Sequence, residues 1–380
     1  MSLNIDSSFP GGNIVVERIE GNTIFLHQDL RTTKGEWFYW YFRLRATEVS
    51  RLKFHFTRGL ALGVRGPAVS LDRGRTWEWL GEESVVGNSF VYAVRQADAE
   101  IRFSFAMPYV ASNWRTFLES LPQNIFIKQG VLCRSEEGRD VEALIVGPQD
   151  TDPLHRIALT CRHHSCEMMP NYSLEGLVGW VLKDPSKDAR WLRSHVQMLL
   201  VPFMDKDGVE NGDQGKNRQP RDHGRDYTGT SLFSSTQALR DFLPEWSDGK
   251  LRVCLDLHCP WIAGDLNEEI YLVGRPEAEN QCEQKRFSKI LEKVKQGPLP
   301  FSHLNFLSFG THWNTNENFT LGECCAGWAY TLPEVLFATS VELPYANAGG
   351  VEVNQESARR FGEDLGRALS SYLQKQDAGG

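Results

Sequence analysis

The sequence predicts an all-β region followed by a larger region of the α/β class. Up to residue 108, short runs alternate apolar and polar residues, which is the period of a half-buried strand. After residue 108, continuous apolar runs alternate with helical patterns, an order typical of a sheet covered by helices. The chain has 380 residues, which is more than one compact core usually requires. We therefore predict two domains, a β-sandwich over residues 1–108 and an α/β domain over residues 109–380.

The predicted strands of the first domain are short and are separated by turn residues. They are Asn13–Ile19, Trp37–Arg45, Leu52–Phe56 and Ile101–Ala106. Aromatic and β-branched side chains are frequent in these runs, and such residues pack well on pleated sheets. The pattern predicts an antiparallel sandwich or barrel whose aromatic residues belong to the core.

The second domain is predicted from apolar strands that alternate with helices. The runs expected to be strands are Val141–Gly147, Ile157–Thr160, Val196–Pro202 and Leu251–Leu257. The helical patterns are Leu174–Leu182, Thr236–Leu243, Glu277–Val294 and Ser357–Leu373. This order predicts a mixed, mostly parallel sheet flanked by helices, with ligands bound beyond the carboxyl ends of the strands.

Charge and apolar patterning exclude several classes of protein. The chain has 41 Lys and Arg residues against 49 Asp and Glu residues, a net charge of −8, which argues against a nucleic-acid or polybasic membrane partner. No run approaches about 18 consecutive apolar residues, and the first residues lack the pattern of a secretory signal. The eight cysteines include no Cys-x-x-Cys pair, so we expect reduced thiols in a cytoplasmic protein. The oligomeric state stays open.

Two groups of possible metal ligands directly follow predicted strands. His164 and Glu167 lie three residues apart, just after the run Ile157–Thr160, and His258 follows the run Leu251–Leu257. Two histidines and one carboxylate are the ligand set of an open catalytic zinc site, in which water takes the fourth position. Taken singly, each group could equally be a solvated helix start or a structural histidine. Together they predict a zinc site at the carboxyl edge of the sheet.

A polar loop follows the third predicted strand. Residues 205–226 are dense in Gly, Asp, Asn and Arg, and long loops over a rigid sheet are often functional. The alternative interpretation is a solvated surface turn, which so many charges would also suit.

These segments resemble the zinc carboxypeptidase family, most closely its cytosolic carboxypeptidase-like branch. The similar segments are His164-x-x-Glu167 after Arg162, Val201–Val209, Asp256-Leu-His258 and Thr339–Tyr345. Two N-terminal segments, Trp37–Arg45 and Phe103–Tyr109, resemble the β-sandwich domain of this branch. The resemblance covers almost the whole chain and implies a zinc-carboxypeptidase-like α/β fold preceded by an all-β sandwich.

The resemblance also implies a role for individual residues. The implied ligands of one zinc ion per chain are His164, Glu167 and His258. Glu342 would be the general base that takes a proton from the attacking water, and Arg218 would stabilise the oxyanion. Asp226 would be the carboxylate that orients the first histidine ligand. A rival for the base is Glu334, but the run Val335–Val341 can form a strand that presents Glu342.

The sequence departs from the family where the substrate carboxylate would bind. The family's Asp-x-Asn-Arg box aligns with Asp226-Tyr-Thr228-Gly229, so its Asn-Arg pair is missing. Either Arg225 or Arg221 could restore the cation, and we favour Arg225 because it directly precedes Asp226. Arg225 and Thr228 are therefore the candidate substrate-binding residues.

The function expected from this reasoning is a zinc-dependent metallocarboxypeptidase whose substrate is the C-terminus of a peptide or protein, cleaved at a peptide or isopeptide bond. One alternative is a zinc amidohydrolase acting on a small N-acyl amino acid. Another is a non-catalytic relative that binds a peptide, although such a protein has no need of a general base.

Overall fold

Two small β-sheets precede a seven-stranded sheet with helices on both of its faces. The computed structural model describes residues 3–97, 99–122, 125–319 and 321–379. The strands of the N-terminal β-region are β1 (Leu3–Asp6), β2 (Val15–Glu20), β3 (Thr23–His27), β4 (Tyr41–Ala46), β5 (Ser50–Phe56), β6 (Ala68–Ser70), β7 (Glu78–Trp79), β8 (Val85–Val86), β9 (Ser89–Val94) and β10 (Ile101–Ser104).

The rest of the chain forms the C-terminal α/β region. Its strands are β11 (Ile127–Arg134), β12 (Asp140–Val146), β13 (His155–Cys161), β14 (Val196–Val201), β15 (Leu251–His258), β16 (Tyr271–Val273), β17 (Phe337–Glu342), β18 (Asn347–Ala348) and β19 (Val351–Glu352). Its helices are α1 (Ala111–Ser120), α2 (Met169–Lys183), α3 (Lys187–His195), α4 (Lys206–Asn211), α5 (Ser234–Ser247), α6 (Ala278–Val294), α7 (Asn316–Phe319), α8 (Cys325–Tyr330) and α9 (Gln355–Gly379).

The N-terminal β-region consists of two five-stranded sheets. Their strand orders are β1-β4-β10-β6-β7 and β2-β3-β5-β9-β8. Aromatic side chains from both sheets, including Phe42, Phe54 and Phe103, are buried together, as the alternating pattern predicts. The neighbouring strands of both sheets pair antiparallel as predicted, except β3 and β5, which pair in parallel. The predicted domain boundary at residue 108 stays a prediction.

The sheet of the C-terminal region is mixed, and the fold class predicted from the sequence is confirmed. Its strand order is β11-β12-β14-β13-β15-β17-β16. The four central strands, β14, β13, β15 and β17, run parallel, whereas β11, β12 and β16 pair antiparallel with their neighbours. The carboxyl ends of β13, β15 and β17 therefore meet at one edge of the sheet.

The alternation of side chains along β13 shows how this sheet is buried. Ile157 and Leu159 face the core that contains α2, α3, α6 and α9, whereas Ala158 faces the core that contains α5 and α8. A strand covered on both faces must be apolar throughout, which is why the parallel strands are continuous apolar runs in the sequence. The parallel strands are therefore held rigidly between two helical layers.

None of the helices in the described ranges is both long and apolar enough to cross a membrane. The cytoplasmic location expected from the sequence stays a prediction.

Helices α2 and α9 cross so closely that one face of α2 cannot carry a side chain at residue 176. A Cβ atom added to Gly176 would lie 1.9 Å from the carbonyl oxygen of Arg359 in α9. A Cβ atom added to Gly362 of α9 would lie 1.8 Å from the carbonyl oxygen of Ser173. The two glycines therefore allow the two backbones to touch, and α2 is the helix that follows the candidate ligands His164 and Glu167.

We expect Gly176→Ala to lower the free energy of unfolding by about 1–3 kcal/mol, because the methyl group forces the two helices apart. The matched control is Gly179→Ala in the same helix, where an added Cβ meets no atom within 4 Å. That variant should gain up to about 1 kcal/mol from the higher helix propensity of alanine. Urea unfolding of both variants measures the two effects, and equal stabilities would contradict the close crossing.

Candidate active site

Three strand ends bring the candidate catalytic residues together. His164 and Glu167 lie in the turn between β13 and α2, while His258 and Glu342 are the last residues of β15 and β17. Strands β15 and β17 are parallel neighbours, and His258 is the register partner of Glu342. Glu167 and His258, which are 91 positions apart in the sequence, thus meet because the ends of parallel strands share one edge.

The turn that carries His164 and Glu167 is held by a buried guanidinium group. Arg162 has a φ of +64° and is 1% exposed. It donates hydrogen bonds to the carbonyl oxygens of Ser165 and Tyr109 and to the side-chain oxygen of Asn171, at 2.9, 2.8 and 2.9 Å. These three partners are all uncharged oxygen atoms. Arg162 therefore fixes the direction of the turn without neutralising any of the nearby carboxylates.

The three predicted zinc ligands form one cluster. Each of His164, Glu167 and His258 offers a ligand atom, and these atoms all lie within 4.8 Å of one another. The Nδ1 atom of His164 is 3.1 Å from Glu167 Oε1, and the Nδ1 atom of His258 is 2.7 Å from Glu167 Oε2. Both Nδ1 atoms thus face the same carboxylate, as they would if they shared a metal ion with it.

Carboxylates orient both imidazole rings through the ring nitrogens that face away from Glu167. His164 Nε2 lies 3.0 Å from Asp222 Oδ1, and His258 Nε2 lies 2.8 Å from Asp256 Oδ2. A histidine that donates one ring N–H to a carboxylate presents its other nitrogen as a metal ligand. Two oriented imidazoles and a buried glutamate are a donor set that zinc prefers. The residues present therefore fit a zinc ion.

A second group of possible ligands shares His258. It contains His163, Asp256 and His258, all buried. His163 Nδ1 is 2.8 Å from Asp256 Oδ1, and His163 Nε2 is 2.7 Å from the hydroxyl of Tyr227. Both ring nitrogens of His163 already have hydrogen-bond partners, so His163 supports Asp256 and does not face the ligand cluster.

The buried carboxyl groups differ in their pKa values because their neighbours differ. Burial alone would raise the pKa of Asp222, but hydrogen bonds and the charge of His164 hold it far below the usual range. The pKa of Asp256 is likewise lowered against the effect of burial, by His163 and His258. Burial raises the pKa of Glu342, and the charge of Glu167 acts in the same direction while His258 opposes it. Glu342 is thus the carboxyl group best suited to accept a proton.

The carboxylate behind His164 is Asp222, and the sequence-based assignment to Asp226 is corrected. Asp226 accepts hydrogen bonds from Arg221 and from the backbone N–H groups of Leu232 and Phe233, at 2.7, 2.9 and 3.0 Å. It therefore caps the chain ahead of α5, whereas the hydrogen bond of His164 Nε2 is to Asp222. The two aspartates are four positions apart, and the sequence alone could not say which one the loop brings to the histidine.

Counting the Asp-x-Asn-Arg box from Asp222 changes the interpretation of the loop. The segment then is Asp222-His-Gly224-Arg225, with an arginine in the expected place and a glycine in place of the asparagine. A Cβ atom on Gly224 would lie 2.8 Å from His164 Nε2, so no larger residue fits here. Arg225 lines the cavity in front of the ligand cluster, together with His164, His258 and Glu342.

The structure does not place Arg218 at this cavity. Its guanidinium group is 3.0 Å from Asp205 Oδ1 and 3.0 Å from Asp213 Oδ2. Asp205 is 4% exposed and needs a cation, so the pairing holds the start of α4 rather than serving a ligand. A cation that does line the cavity, two residues earlier in the chain, is Lys216, whose Nζ atom lies 2.5 Å from Glu167 Oε1.

Other candidates lie away from the cavity. Thr228 is exposed, and its hydroxyl accepts a hydrogen bond of 2.8 Å from the backbone of Glu323. Arg221 pairs with Asp226 at 2.7 Å. Glu334 is exposed ahead of β17, whereas Glu342 ends that strand inside the cavity. Among the described residues, those that line the cavity do not include Thr228, Arg221 or Glu334.

Aromatic side chains form much of the remaining wall of the cavity. Trp37 comes from the N-terminal β-region, Trp261 from the segment after β15, Tyr271 from β16 and Trp313 from the segment after α6. Their positions in the sequence carry no common pattern, and only the fold brings them together. Arg275 also lines the cavity and pairs with Glu323 at 2.9 Å.

Several known proteins are similar to this chain in sequence. Residues 115–253 match the family model described as zinc carboxypeptidase. Cytosolic carboxypeptidase 3 of Mus musculus is 32% identical over 133 residues, which are 33% of this chain and 13% of that protein. Cytosolic carboxypeptidase 2 of Mus musculus is 28% identical over 222 residues, 54% of this chain and 25% of that protein. An uncharacterised protein of Zymomonas mobilis is 24% identical, and the match covers 56% of each chain.

Solved structures share the fold over nearly the whole length. A metallo-carboxypeptidase from Burkholderia cenocepacia has a TM-score of 0.80 at 20% identity, covering 99% of this chain and 100% of that one. A metallo-carboxypeptidase from Pseudomonas aeruginosa, solved in complex with (2-guanidinoethylmercapto)succinic acid, has a TM-score of 0.75 at 19% identity, covering 98% and 99%. The chain spans about half or less of the curated relatives above, whereas it covers these structures fully. The resemblance to zinc carboxypeptidases of the cytosolic branch is confirmed.

We expect His258→Ala to lower the zinc content from about one ion per chain to nearly none, because two remaining ligands hold zinc weakly. The measurement is metal analysis of the purified protein, with circular dichroism to verify the fold. The control is His303→Ala, which removes a histidine paired with Glu292 outside the cavity and should leave the zinc content unchanged. Full zinc content in His258→Ala would show that the cluster is not the zinc site.

Proposed function

We propose that the protein is a zinc-dependent metallocarboxypeptidase that hydrolyses a C-terminal peptide or isopeptide bond. The observation that carries this proposal is the joint placement of the ligand cluster, Glu342, Lys216 and Arg225 around one cavity. A binding protein could use the cations alone, but a buried carboxyl group with a raised pKa beside a ligand cluster suits proton transfer.

The ligand cluster and Glu342 would together activate water. A zinc ion held by His164, Glu167 and His258 would act as a Lewis acid and lower the pKa of water toward about 7. Glu342, next to His258 across the parallel strands, would accept the proton of the attacking water. The same carboxyl group would then donate this proton to the nitrogen of the leaving amine, so no other acid is required.

Lys216, and not Arg218, is the cation that we assign to the developing negative charge. Its side chain is largely buried and reaches the cavity between Glu167 and Glu342. Burial acts to lower the pKa of Lys216, but these two carboxylates outweigh it and raise the pKa above its usual value. Lys216 therefore stays protonated, and a fixed charge in a site poor in water stabilises an oxyanion strongly.

Arg225 is the residue that we assign to the substrate carboxylate. It follows Asp222 by three residues and lies on the wall of the cavity. A guanidinium group binds a carboxylate through two parallel hydrogen bonds, which distinguishes a free C-terminus from an amide. Aromatic side chains around it offer apolar surface to the terminal side chain of the substrate.

A single assay distinguishes this function from its two alternatives. The protein is incubated with peptides of mixed C-terminal residues and, separately, with small N-acyl amino acids, with and without a chelator. A metallocarboxypeptidase releases free amino acids from the peptides, and the chelator abolishes the release. Cleavage of the N-acyl amino acids alone would favour the amidohydrolase, and no release from either would favour a non-catalytic binder.

We expect Lys216→Ala to lower kcat by about 10²–10³-fold, because it removes the charge that stabilises the oxyanion. The matched control is Lys206→Ala, another buried lysine, whose Nζ atom lies 2.6 Å from Glu142 outside the cavity. Both variants lose a buried ion pair, so both should be less stable, but only Lys216→Ala should lose kcat at a temperature where both are folded. A loss of kcat in Arg218→Ala alone would return the role to Arg218.

We expect Arg225→Ala to abolish the preference for a free carboxylate, because it removes the guanidinium group that we assign to the bidentate pairing. The measurement compares kcat/KM for a peptide with a free C-terminus and for its C-terminal amide. The control is Arg221→Ala, which breaks the pair with Asp226 and should keep the preference of the wild type. A strong preference that survives in Arg225→Ala would move the anchor to another cation.

A further inference from the structure

The segment that presents Lys216 has no regular secondary structure of its own. We call residues 212–221 the Lys216 loop; it connects α4 with Asp222. An irregular loop does not fix the position of a buried lysine side chain by its own hydrogen bonds. The position of Lys216 therefore depends on what the loop contacts on each side.

On its outer side, the loop is bound to the N-terminal β-region through the side chain of Gln214. The amide of Gln214 pairs with both main-chain groups of Tyr39: it accepts from the N–H at 2.7 Å and donates to the carbonyl oxygen at 2.8 Å. Gln214 is 1% exposed, so water does not compete for these bonds. Gln214 thus pairs with Tyr39 as a neighbouring strand would.

Further hydrogen bonds join the two regions at both ends of the loop. Asn13 donates to the carbonyl oxygen of Gly212 at 2.7 Å, and Arg31 lies 2.5 Å from Asp213. Beyond Lys216, the N–H of Gln219 donates to the carbonyl oxygen of Thr32 at 3.0 Å. The N-terminal β-region therefore holds the loop before and after the residue that enters the cavity.

On its inner side, the same loop contacts the turn that carries the metal ligands. The N–H of Cys166 donates to the carbonyl oxygen of Gln214 at 3.2 Å, and the hydroxyl of Ser165 donates to the carbonyl oxygen of Asp213 at 3.0 Å. Gln214 thus uses its side chain to bind the N-terminal β-region and its main chain to bind the turn between His164 and Glu167.

The N-terminal β-region also contacts Lys216 directly. Trp37 lies two residues before Tyr39, and the Nζ atom of Lys216 is 5.5 Å from the centre of its indole ring. Trp37 is 9% exposed, its ring centre lies 4.8 Å from that of Trp261, and it lines the cavity. An aromatic face attracts an ammonium group, and a desolvated contact of this kind restricts where the charge can lie.

We propose that the N-terminal β-region is a positioning element of the active site, in which Gln214 and Trp37 place the ammonium group of Lys216 between Glu167 and Glu342. This inference rests on the proposed function insofar as Lys216 takes part in hydrolysis. Gln214 and Trp37 are positioning residues, because they act through Lys216. The energy of a charge in a low-dielectric site depends steeply on distance, so a loop that shifts by 1 Å loses much of its effect.

The test is a double-mutant cycle between Gln214→Ala and Lys216→Ala. In the wild-type background, Gln214→Ala should lower kcat by about 10-fold or more, with a smaller change in KM. In the Lys216→Ala background, the same change should alter kcat by less than about 2-fold, because the group that Gln214 positions is already gone. Equal fold-losses in both backgrounds would overturn the inference.

The matched control is Gln355→Ala. Gln355 also bridges the two regions, since its side chain accepts from the N–H of Trp77 at 3.2 Å and donates to the carbonyl oxygen of Arg75 at 3.2 Å. It lies at the start of α9, far along the chain from the Lys216 loop. Its removal costs stability as a bridge but should leave kcat unchanged, whereas equal losses of kcat in both glutamine variants would overturn the inference.

Amide hydrogen exchange provides a measurement that does not depend on activity. Gln214→Ala should speed exchange of the amides at residues 215–219, and Gln355→Ala should not. If the wild type hydrolyses no peptide, the proposed function fails, and this measurement alone decides whether the loop is held as we infer. Unchanged exchange in Gln214→Ala would overturn the inference even if hydrolysis is observed.

A milder variant covers the case in which Gln214→Ala does not fold. Trp37→Phe keeps an aromatic side chain but weakens the contact with the ammonium group of Lys216. It should lower kcat by about 2–10-fold in the wild-type background and have no effect in the Lys216→Ala background. An equal loss in both backgrounds would show that Trp37 acts on the cavity by another route.

Discussion

The burial of several carboxylates at one end of the sheet is the constraint on which the site depends. Glu167 is fully buried, and Asp256 and Glu342 are 1% and 7% exposed. A buried carboxylate without a partner is costly, so each must be compensated locally. Glu167 is compensated by two imidazoles and Lys216, and Asp256 by two imidazoles and a hydroxyl. Glu342 has the weakest compensation, and its carboxyl group is the one whose pKa is raised. The same charge balance that permits folding thus selects the residue that can exchange a proton.

The groups that compensate these carboxylates come from distant parts of the chain. The imidazoles come from the ends of β13 and β15, the ammonium group from an irregular loop, and the indole that faces it from the N-terminal β-region. The rigid part is the parallel sheet, whose strands are covered on both faces by helices. The adjustable part is the loop, which takes its shape from the surfaces on its two sides. The rigid sheet thus carries the metal ligands, whereas the N-terminal β-region controls the position of the cation Lys216.

The positions of the metal ligands and of Glu342 could be predicted from the sequence, because apolar runs indicate where strands end. His164, Glu167, His258 and Glu342 each lie at such an end, and parallel strands bring their ends together. The sequence could not assign roles to the loop residues, because an irregular segment has no periodic pattern that indicates which side chains face the cavity. That is why Asp226 was expected where Asp222 lies. The same reason applies to Arg218 and Lys216, which are two residues apart but point to different partners. The long-range contact of Gln214 with Tyr39 has no local signal at all.

The guanidinium of Arg162 has a consequence for which substitutions the chain tolerates. Two of its three recorded partners are main-chain carbonyl oxygens, at residues 109 and 165, and every amino acid supplies a carbonyl. The side chains at those two positions can therefore be exchanged without removing a partner of Arg162. Position 162 itself has no such freedom, since a lysine carries its three donors on one nitrogen and lacks the planar fork that reaches separate oxygen atoms. The turn that holds the metal ligands thus depends strongly on Arg162, whereas Arg162 depends on the side chain of only one of these three partners, Asn171.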